Sequence, residues 1–128
     1  MSTSDERPQE ACGIVGVYAP GEDVARVASF GLFALQHRGQ ESAGIATGDG
    51  ERIRLHTAMG LVSQTLQEED LARLPGHVAV GHTRYSTTGT SNLSNAQPII
   101  SKGPDVELAL AHNGNLTNAY SLYKKLEK

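Results

Sequence analysis

The chain of 128 residues has 11 Lys and Arg against 14 Asp and Glu, a formal net charge of -3, and 38% of its residues are hydrophobic. This length predicts one domain with its own core, and the lack of a basic stripe excludes nucleic acid as an expected partner. No apolar run approaches the roughly 20 residues that cross a bilayer, and the polar first residues do not form a secretory signal. With a single cysteine, these features predict a cytoplasmic protein without a membrane partner.

The first part of the chain contains a leader, a strand and a helix. Residues 1–11 are polar and are predicted to be a disordered leader, and residues 13–18 are predicted to be a strand. Asp23 is a suitable cap for a helix that begins near Val24. Because apolar residues cover much of the circumference of this helix, we expect it to be largely buried.

The middle of the chain has the pattern of a hairpin followed by a helix and a strand. Residues 43–48 and 52–57 flank Asp49-Gly50, a strong turn signal, and are predicted to pair as a hairpin. A short helix is predicted over 68–74. Residues 77–83 follow as a strand whose successive side chains alternate between two faces.

The last part is predicted to be a loop, a strand and a helix. Residues 88–98 form the loop and residues 106–112 the strand, and Thr117 or Asn115 is expected to cap the final helix. Strands therefore outnumber helices without alternating with them. This order predicts the α+β class, with a largely antiparallel sheet. Since the helical pattern reaches Lys128 without a stop signal, we expect the sequence to be part of a longer protein.

Cys12 is the first candidate for chemistry, because it precedes a Gly-rich and apolar strand. A thiolate is a good nucleophile. If residues 1–11 were removed, Cys12 would carry its own α-amine as a base. The alternative is a small hydrophobic residue in the core, and the residues alone leave both interpretations open.

Three further segments place polar side chains where an element ends. Residues 37–44 include Arg38, which could bind an anion or simply favour a helix C-terminus. Arg84 follows a strand and precedes Tyr85, Ser86 and Thr87, so that its guanidinium could bind a carboxylate or a phosphate. The alternative is a surface arginine beside a turn rich in Ser and Thr.

The third of these segments is His112-Asn113-Gly114-Asn115. The Asn113 amide and the Gly114 N–H could converge on one oxygen, as the donors of an oxyanion hole do. An Asn-Gly turn without chemistry is the alternative. The five histidines have no metal-ligand spacing, and the sequence has no phosphate-binding glycine loop, so that neither a metal site nor a nucleotide site is predicted within it.

Together and in this order, these motifs resemble one family. CGIVGVY, HRGQESAGI, GHTRYSTTG, NAQP and LAHNGNLTNA are similar to the glutaminase domain of the amidophosphoribosyltransferase family, over Cys12 to about Leu126. The resemblance implies an N-terminal-nucleophile hydrolase fold, an αββα sandwich of antiparallel sheets that is incomplete here. It also implies that 1–11 is a propeptide and that 12–128 is a C-terminally truncated glutaminase domain, without the phosphoribosyltransferase domain.

The resemblance also implies roles. Cys12 would attack the side-chain amide of glutamine, its α-amine would serve as base, and Asn113 and Gly114 would form the oxyanion hole. Arg84 would bind the α-carboxylate of glutamine. The remaining residues would support the pocket, and these are Arg38, Tyr85, Ser86 and Thr87.

Other properties of the family would depend on residues beyond this sequence. They are the acid that binds the α-amino group of glutamine, the site for phosphoribosyl diphosphate with its Mg2+, an iron–sulfur cluster in some members, and assembly into a homotetramer. Two alternatives are kept at this stage. One is a related amidotransferase that feeds ammonia to a sugar phosphate, and the other is a non-catalytic module with the same fold.

Overall fold

The computed structural model describes residues 12–35, 42–84, 93–114 and 117–127. The strands in this part of the chain are β1 (Gly13–Tyr18), β2 (Ser42–Gly48), β3 (Ile53–Met59), β4 (Val78–Arg84), β5 (Ile99–Lys102) and β6 (Glu107–Leu110). The helices are α1 (Val24–Leu35), α2 (Val62–Thr65), α3 (Glu68–Ala72) and α4 (Ala119–Leu126), with a 3-10 turn at Leu93–Asn95.

The main sheet has four strands in the order β1-β4-β2-β3, and all neighbours in it are antiparallel. The central strand β4 pairs Thr83 with Gly13 of β1 on one side and Arg84 with Ser42 of β2 on the other. β5 and β6 form a separate antiparallel hairpin. The described residues therefore combine antiparallel sheets with helices, as the sequence predicts.

The core lies between α1 and one face of the main sheet. Leu32 of α1 is fully buried. A Cβ added to Gly81 of β4 would lie 2.9 Å from Cδ1 of Leu32. Glycine at this position lets the helix approach the sheet closely. The other buried apolar side chains of this cluster come from α1, the sheet and the segment with α2 and α3, and they are Val24, Ala25, Ala28, Ala43, Ile45, Val62, Leu66, Leu71, Leu74 and Ala79.

Two local predictions agree with the structure. Asp23 Oδ1 accepts a hydrogen bond from the backbone N–H of Arg26 at 3.1 Å, which is the predicted cap of α1. The β2–β3 turn is held by Asp49, whose Oδ1 accepts from the N–H groups of Glu51 and Arg52. Arg54 donates to the same carboxylate, and this bond and the two backbone bonds hold the pKa of Asp49 well below its usual range.

The predicted burial of α1 is wrong in part. Its outer face carries Val27, Phe30 and Phe33, which are 45%, 67% and 56% exposed. The helix lies flat on the sheet and buries only one face, and its apolar residues extend beyond that face.

Other differences concern boundaries. α2 and β5 were not predicted, and β6 is shorter than the predicted strand over 106–112. Thr117 does not cap α4, because Asn118 is at the N-cap and makes no side-chain capping bond. Asn115, the alternative cap, lies outside the described residues. In the described ranges, no helix has the length and apolar character needed to span a bilayer.

Candidate active site

Three strand ends meet at one edge of the main sheet. Because Gly13 pairs with Thr83, the start of β1 lies beside the end of β4, and Cys12 is at the same edge as Arg84. The pairing of Ser42 with Arg84 brings the start of β2 to this edge as well. The antiparallel register therefore places two sequence-predicted site residues together.

The Asn-Gly segment reaches the same edge from the chain that follows β6. Asn113 Nδ2 donates a hydrogen bond to the backbone carbonyl of Cys12 at 3.3 Å, across 101 positions of sequence. An amide nitrogen has two hydrogens, so that it can bond to this carbonyl and to an oxygen of a ligand at once. Gly114 has a φ of 115°, where other residues are strained, and a Cβ added to it would meet nothing within 4 Å.

His82 lies directly beneath this segment and is 1% exposed. Its Nε2 is 3.1 Å from the backbone carbonyl oxygen of His112. Since a carbonyl can only accept, we infer that Nε2 carries the hydrogen. Burial lowers the pKa of His82, and the His112 carbonyl and the Asn113 side chain only partly oppose it. His82 is therefore a neutral donor near pH 7.

Gln97 contacts the N–H of the same residue, His112. Its Oε1 accepts a hydrogen bond from the N–H of His112 at 2.7 Å, and its side chain is buried. The sequence predicts no role for Gln97 beyond its place in the NAQP motif. An uncharged amide beside a proline is too common a pattern to reveal its partner.

Arg84 contacts the 3-10 turn that precedes Gln97. Its Nη1 donates to the carbonyl of Asn95 at 3.1 Å, and its side chain is half-buried. Cys12 is also half-buried. A thiol, a guanidinium and an Asn-Gly pair thus surround one edge of the sheet, a set of groups able to carry out nucleophilic attack on an amide of a carboxylate-bearing substrate.

The remaining sequence-predicted residues lie outside the described ranges. They are the leader 1–11, Arg38, Tyr85, Ser86 and Thr87, and their predicted roles stay predictions. In the ranges that the structure does describe, no group of three His, Cys, Asp or Glu could hold a metal ion.

Comparison with known proteins adds sequence relatives. The amidophosphoribosyltransferase of Synechococcus elongatus is 60% identical over 121 residues, which is 94% of this chain and 24% of the relative. That of Mycobacterium tuberculosis is 54% identical over 116 residues, which is 90% of this chain and 22% of the relative. The chain thus spans about a quarter of the length of the curated relatives that it matches. No family model matches it.

Solved structures agree with the sequence relatives. The glutamine phosphoribosylpyrophosphate amidotransferase of B. subtilis, complexed with ADP and GMP, aligns with a TM-score of 0.77 and 40% identity, over 89% of this chain and 24% of that chain. A structure described as the allosteric regulatory enzyme of purine biosynthesis aligns with a TM-score of 0.80 and 41% identity, over the same shares. These neighbours confirm the predicted α+β class and N-terminal-nucleophile hydrolase fold. The chain therefore corresponds in sequence and fold to the N-terminal part of amidophosphoribosyltransferases.

Proposed function

We propose that this chain forms the glutamine-hydrolysing site of an amidophosphoribosyltransferase. The observation that carries the proposal is the hydrogen bond between Asn113 and the Cys12 carbonyl, because it brings a nucleophile and an oxyanion-hole donor together from distant parts of the sequence. The relatives support this proposal, since they are named amidophosphoribosyltransferases and one similar solved structure is named a glutamine phosphoribosylpyrophosphate amidotransferase. They do not favour the alternative of a sugar-phosphate amidotransferase.

The chemistry begins at the sulfur of Cys12. Once residues 1–11 are removed, the α-amine of Cys12 takes the thiol proton, and the thiolate attacks the side-chain carbonyl carbon of glutamine. The carbonyl oxygen becomes an oxyanion, which accepts hydrogen bonds from the Asn113 amide and the Gly114 N–H. The carbon–nitrogen bond then breaks, ammonia leaves with the proton returned by the α-ammonium, and a thioester remains. Water hydrolyses the thioester and releases glutamate.

Arg84 supplies substrate recognition in this proposal. A guanidinium fork pairs with a carboxylate through two parallel hydrogen bonds, and Arg84 ends the strand that lies next to Cys12. Arg38 and Tyr85–Thr87 would support the pocket around the substrate. The acid that binds the α-amino group of glutamine would come from residues beyond this chain.

The complete reaction needs more protein than this chain. In the complete enzyme we propose that ammonia attacks phosphoribosyl diphosphate to give 5-phosphoribosylamine and diphosphate, the first committed step of purine biosynthesis. The acceptor site, its Mg2+ and an iron–sulfur cluster would be held by the part of the protein that this chain does not span. Assembly as a homotetramer and a cytoplasmic location stay predictions.

A labelling experiment tests the nucleophile. A full-length protein of the relatives' size that contains this chain is treated with a diazo-ketone analogue of glutamine and analysed by intact mass. We expect an adduct on Cys12 only in molecules that begin at Cys12, and we expect excess glutamine to protect against it. Equal labelling of unprocessed molecules would exclude the α-amine as base, and a processed protein without any adduct would overturn the proposed function.

Two substitutions test the division of roles. Asn113→Ala removes an oxyanion donor and is expected to lower kcat for glutamine hydrolysis by about 10²–10³-fold with little change in KM. Arg84→Ala removes the carboxylate partner and is expected to raise KM more than it lowers kcat. Unchanged steady-state kinetics in both variants would show that the site lies elsewhere.

A further inference from the structure

Buried side chains hold the backbone of His112 through both its N–H and its carbonyl oxygen. His82 donates to its carbonyl oxygen at 3.1 Å, and Gln97 accepts from its N–H at 2.7 Å. His82 is 1% exposed and Gln97 is 8% exposed, so that the side chain in each bond is shielded from water. Hydrogen bonds of buried groups cannot be exchanged for bonds to solvent, and breaking one leaves its partner unsatisfied.

The segment from His112 to Gly114 has little packing of its own. His112, Asn113 and Gly114 are all exposed, and Gly114 adopts a positive φ. In the proposed reaction, the donors that must point at one oxygen belong to Asn113 and Gly114. Their direction is set by the backbone that precedes them, and the two buried contacts fix that backbone.

Both anchors are in turn fixed by the main sheet. His82 lies in the central strand β4, paired with Ile14 of β1 and Gly44 of β2. The backbone of Gln97 packs directly on Gly44, and a Cβ added to this glycine would overlap the Gln97 carbonyl oxygen. A continuous set of contacts therefore connects the main sheet to the backbone of His112 through the side chains of His82 and Gln97.

We propose that His82 and Gln97 are positioning residues, which hold the backbone on either side of His112 so that the Asn113 and Gly114 donors meet the oxyanion. Neither residue touches the substrate in this inference, which rests on the proposed function. A neutral His82 fits the role, because its Nε2–H is the donor and a charge beside Arg84 would be unfavourable. Small displacements of reacting groups are sufficient to matter, since a misplacement of about 1 Å lowers a rate by about 10²-fold.

Paired variants of the full-length protein test the inference. Gln97→Met removes the acceptor and Gln97→Glu keeps one, while His82→Leu removes the donor and His82→Gln keeps an N–H near the position of Nε2. We expect the first variant of each pair to lower kcat for glutamine by about 10–100-fold with KM nearly unchanged. We expect the second variant of each pair to recover most of that loss.

His56→Leu is the matched control. His56 Nε2 also lies near a backbone carbonyl, that of Thr65 at 2.7 Å, but it is on β3 and away from Cys12. His56 is half-buried. A purely structural role of a histidine that bonds to a backbone carbonyl would lower stability in the control and in His82→Leu, without a selective loss of kcat.

The outcomes separate the two proposals. If the wild type is active and neither Gln97→Met nor His82→Leu changes kcat, the inference alone is overturned. A loss of kcat of the same size in the control His56→Leu would also overturn it. If His82→Leu does not fold, the Gln97 pair decides the question by itself. A processed wild type that neither hydrolyses glutamine nor reacts with the diazo-ketone would overturn the proposed function and the inference together.

Discussion

The two faces of the main sheet are built in different ways. The face toward α1 is closed by apolar side chains such as Leu32 and Ile45, which are fully buried. The opposite face meets the chain that follows the β5–β6 hairpin through the hydrogen bond between His82 and the His112 carbonyl, and Gln97, which precedes the hairpin, bonds to the same residue. On the β5–β6 hairpin itself, apolar residues such as Leu110, which is 67% exposed, are not covered by the described part of the chain.

The two faces are expected to contribute differently, one mainly to stability and the other to the geometry of the candidate active site. Burial of apolar surface is non-directional, so the α1 face contributes to the free energy of unfolding without fixing any single group in place. Hydrogen bonds are directional, and the opposite face uses them to hold the Asn-Gly segment over Cys12. Substitutions on the two faces should therefore have distinguishable effects.

The largest expected effect comes from the same substitution made in the core beneath α1 and on the β5–β6 hairpin. Leu32→Ala should lower the free energy of unfolding by about 2–5 kcal/mol, because it removes a fully buried side chain. Leu110→Ala should change it by only about 0.5 kcal/mol, because that side chain is largely exposed. Urea-induced unfolding measures the free energy of unfolding of both variants. Equal losses would contradict the contrast between the core and the exposed hairpin.

A glycine on the polar face gives the next largest effect. Gly44→Ala would place a methyl group against the Gln97 carbonyl and 2.7 Å from Thr57 Cγ2, and we expect a loss of about 1–3 kcal/mol in the free energy of unfolding. If Gln97 moves, kcat for glutamine should fall as well. Gly16→Ala is the control, since a Cβ there would meet nothing within 4 Å. Equal behaviour of the two variants would show that the close packing at Gly44 has no consequence.

The cap of α1 should have a smaller effect, limited to stability. Asp23→Ala removes the acceptor for the Arg26 N–H and should lower the free energy of unfolding by about 0.5–2 kcal/mol, whereas Asp23→Asn keeps an acceptor and should retain most of it. Thermal unfolding followed by circular dichroism compares the variants. A loss of kcat in Asp23→Ala at a temperature where it is folded would contradict the separation of the two faces.

The pH dependence of stability should show the smallest effect, from a single proton. Burial lowers the pKa of His82 in the folded state, so the unfolded state binds this proton more tightly. The contribution of His82 is therefore complete above the unfolded pKa of about 6.5 and is lost as the pH falls from there through the folded pKa. Asp49 and Glu68, whose pKa values are also lowered, lose their contributions only at more acidic pH.

Urea unfolding between pH 5 and 8 would measure the contribution of His82 to the pH dependence of the free energy of unfolding. His82→Gln cannot titrate, and its free energy of unfolding should vary less with pH than that of the wild type in this window. Identical slopes for both proteins would show that His82 titrates alike in the folded and unfolded states.

Local signals in the sequence were sufficient for several elements. β1 has the predicted bounds, and Asp23 and Asp49 hold the predicted cap and turn, because each acts on a backbone within three residues of itself. The motifs around Cys12 and Asn113 also pointed to one site. Their proximity was implied by resemblance and not by spacing, since 101 positions separate them.

The remaining features depend on long-range packing. Nothing near Gln97 reveals that its partner is His112, and the exposed outer face of α1 has the same apolar composition as a buried one. The order β1-β4-β2-β3 likewise results from pairings between distant segments. The periodicity of a sequence indicates which residues share a face of a helix or strand, but which of these faces is covered depends on the assembled fold.

The central strand β4 has a consequence for how the sequence can change over evolution. Gly81 fits against α1, the next residue supports the Asn-Gly segment, and Arg84 ends the strand beside Cys12. A one-residue insertion within β4 would exchange its two faces, so that the imidazole would point into the core and the glycine would leave it. We therefore expect insertions and deletions to be tolerated before Val78, but not between Val78 and Arg84.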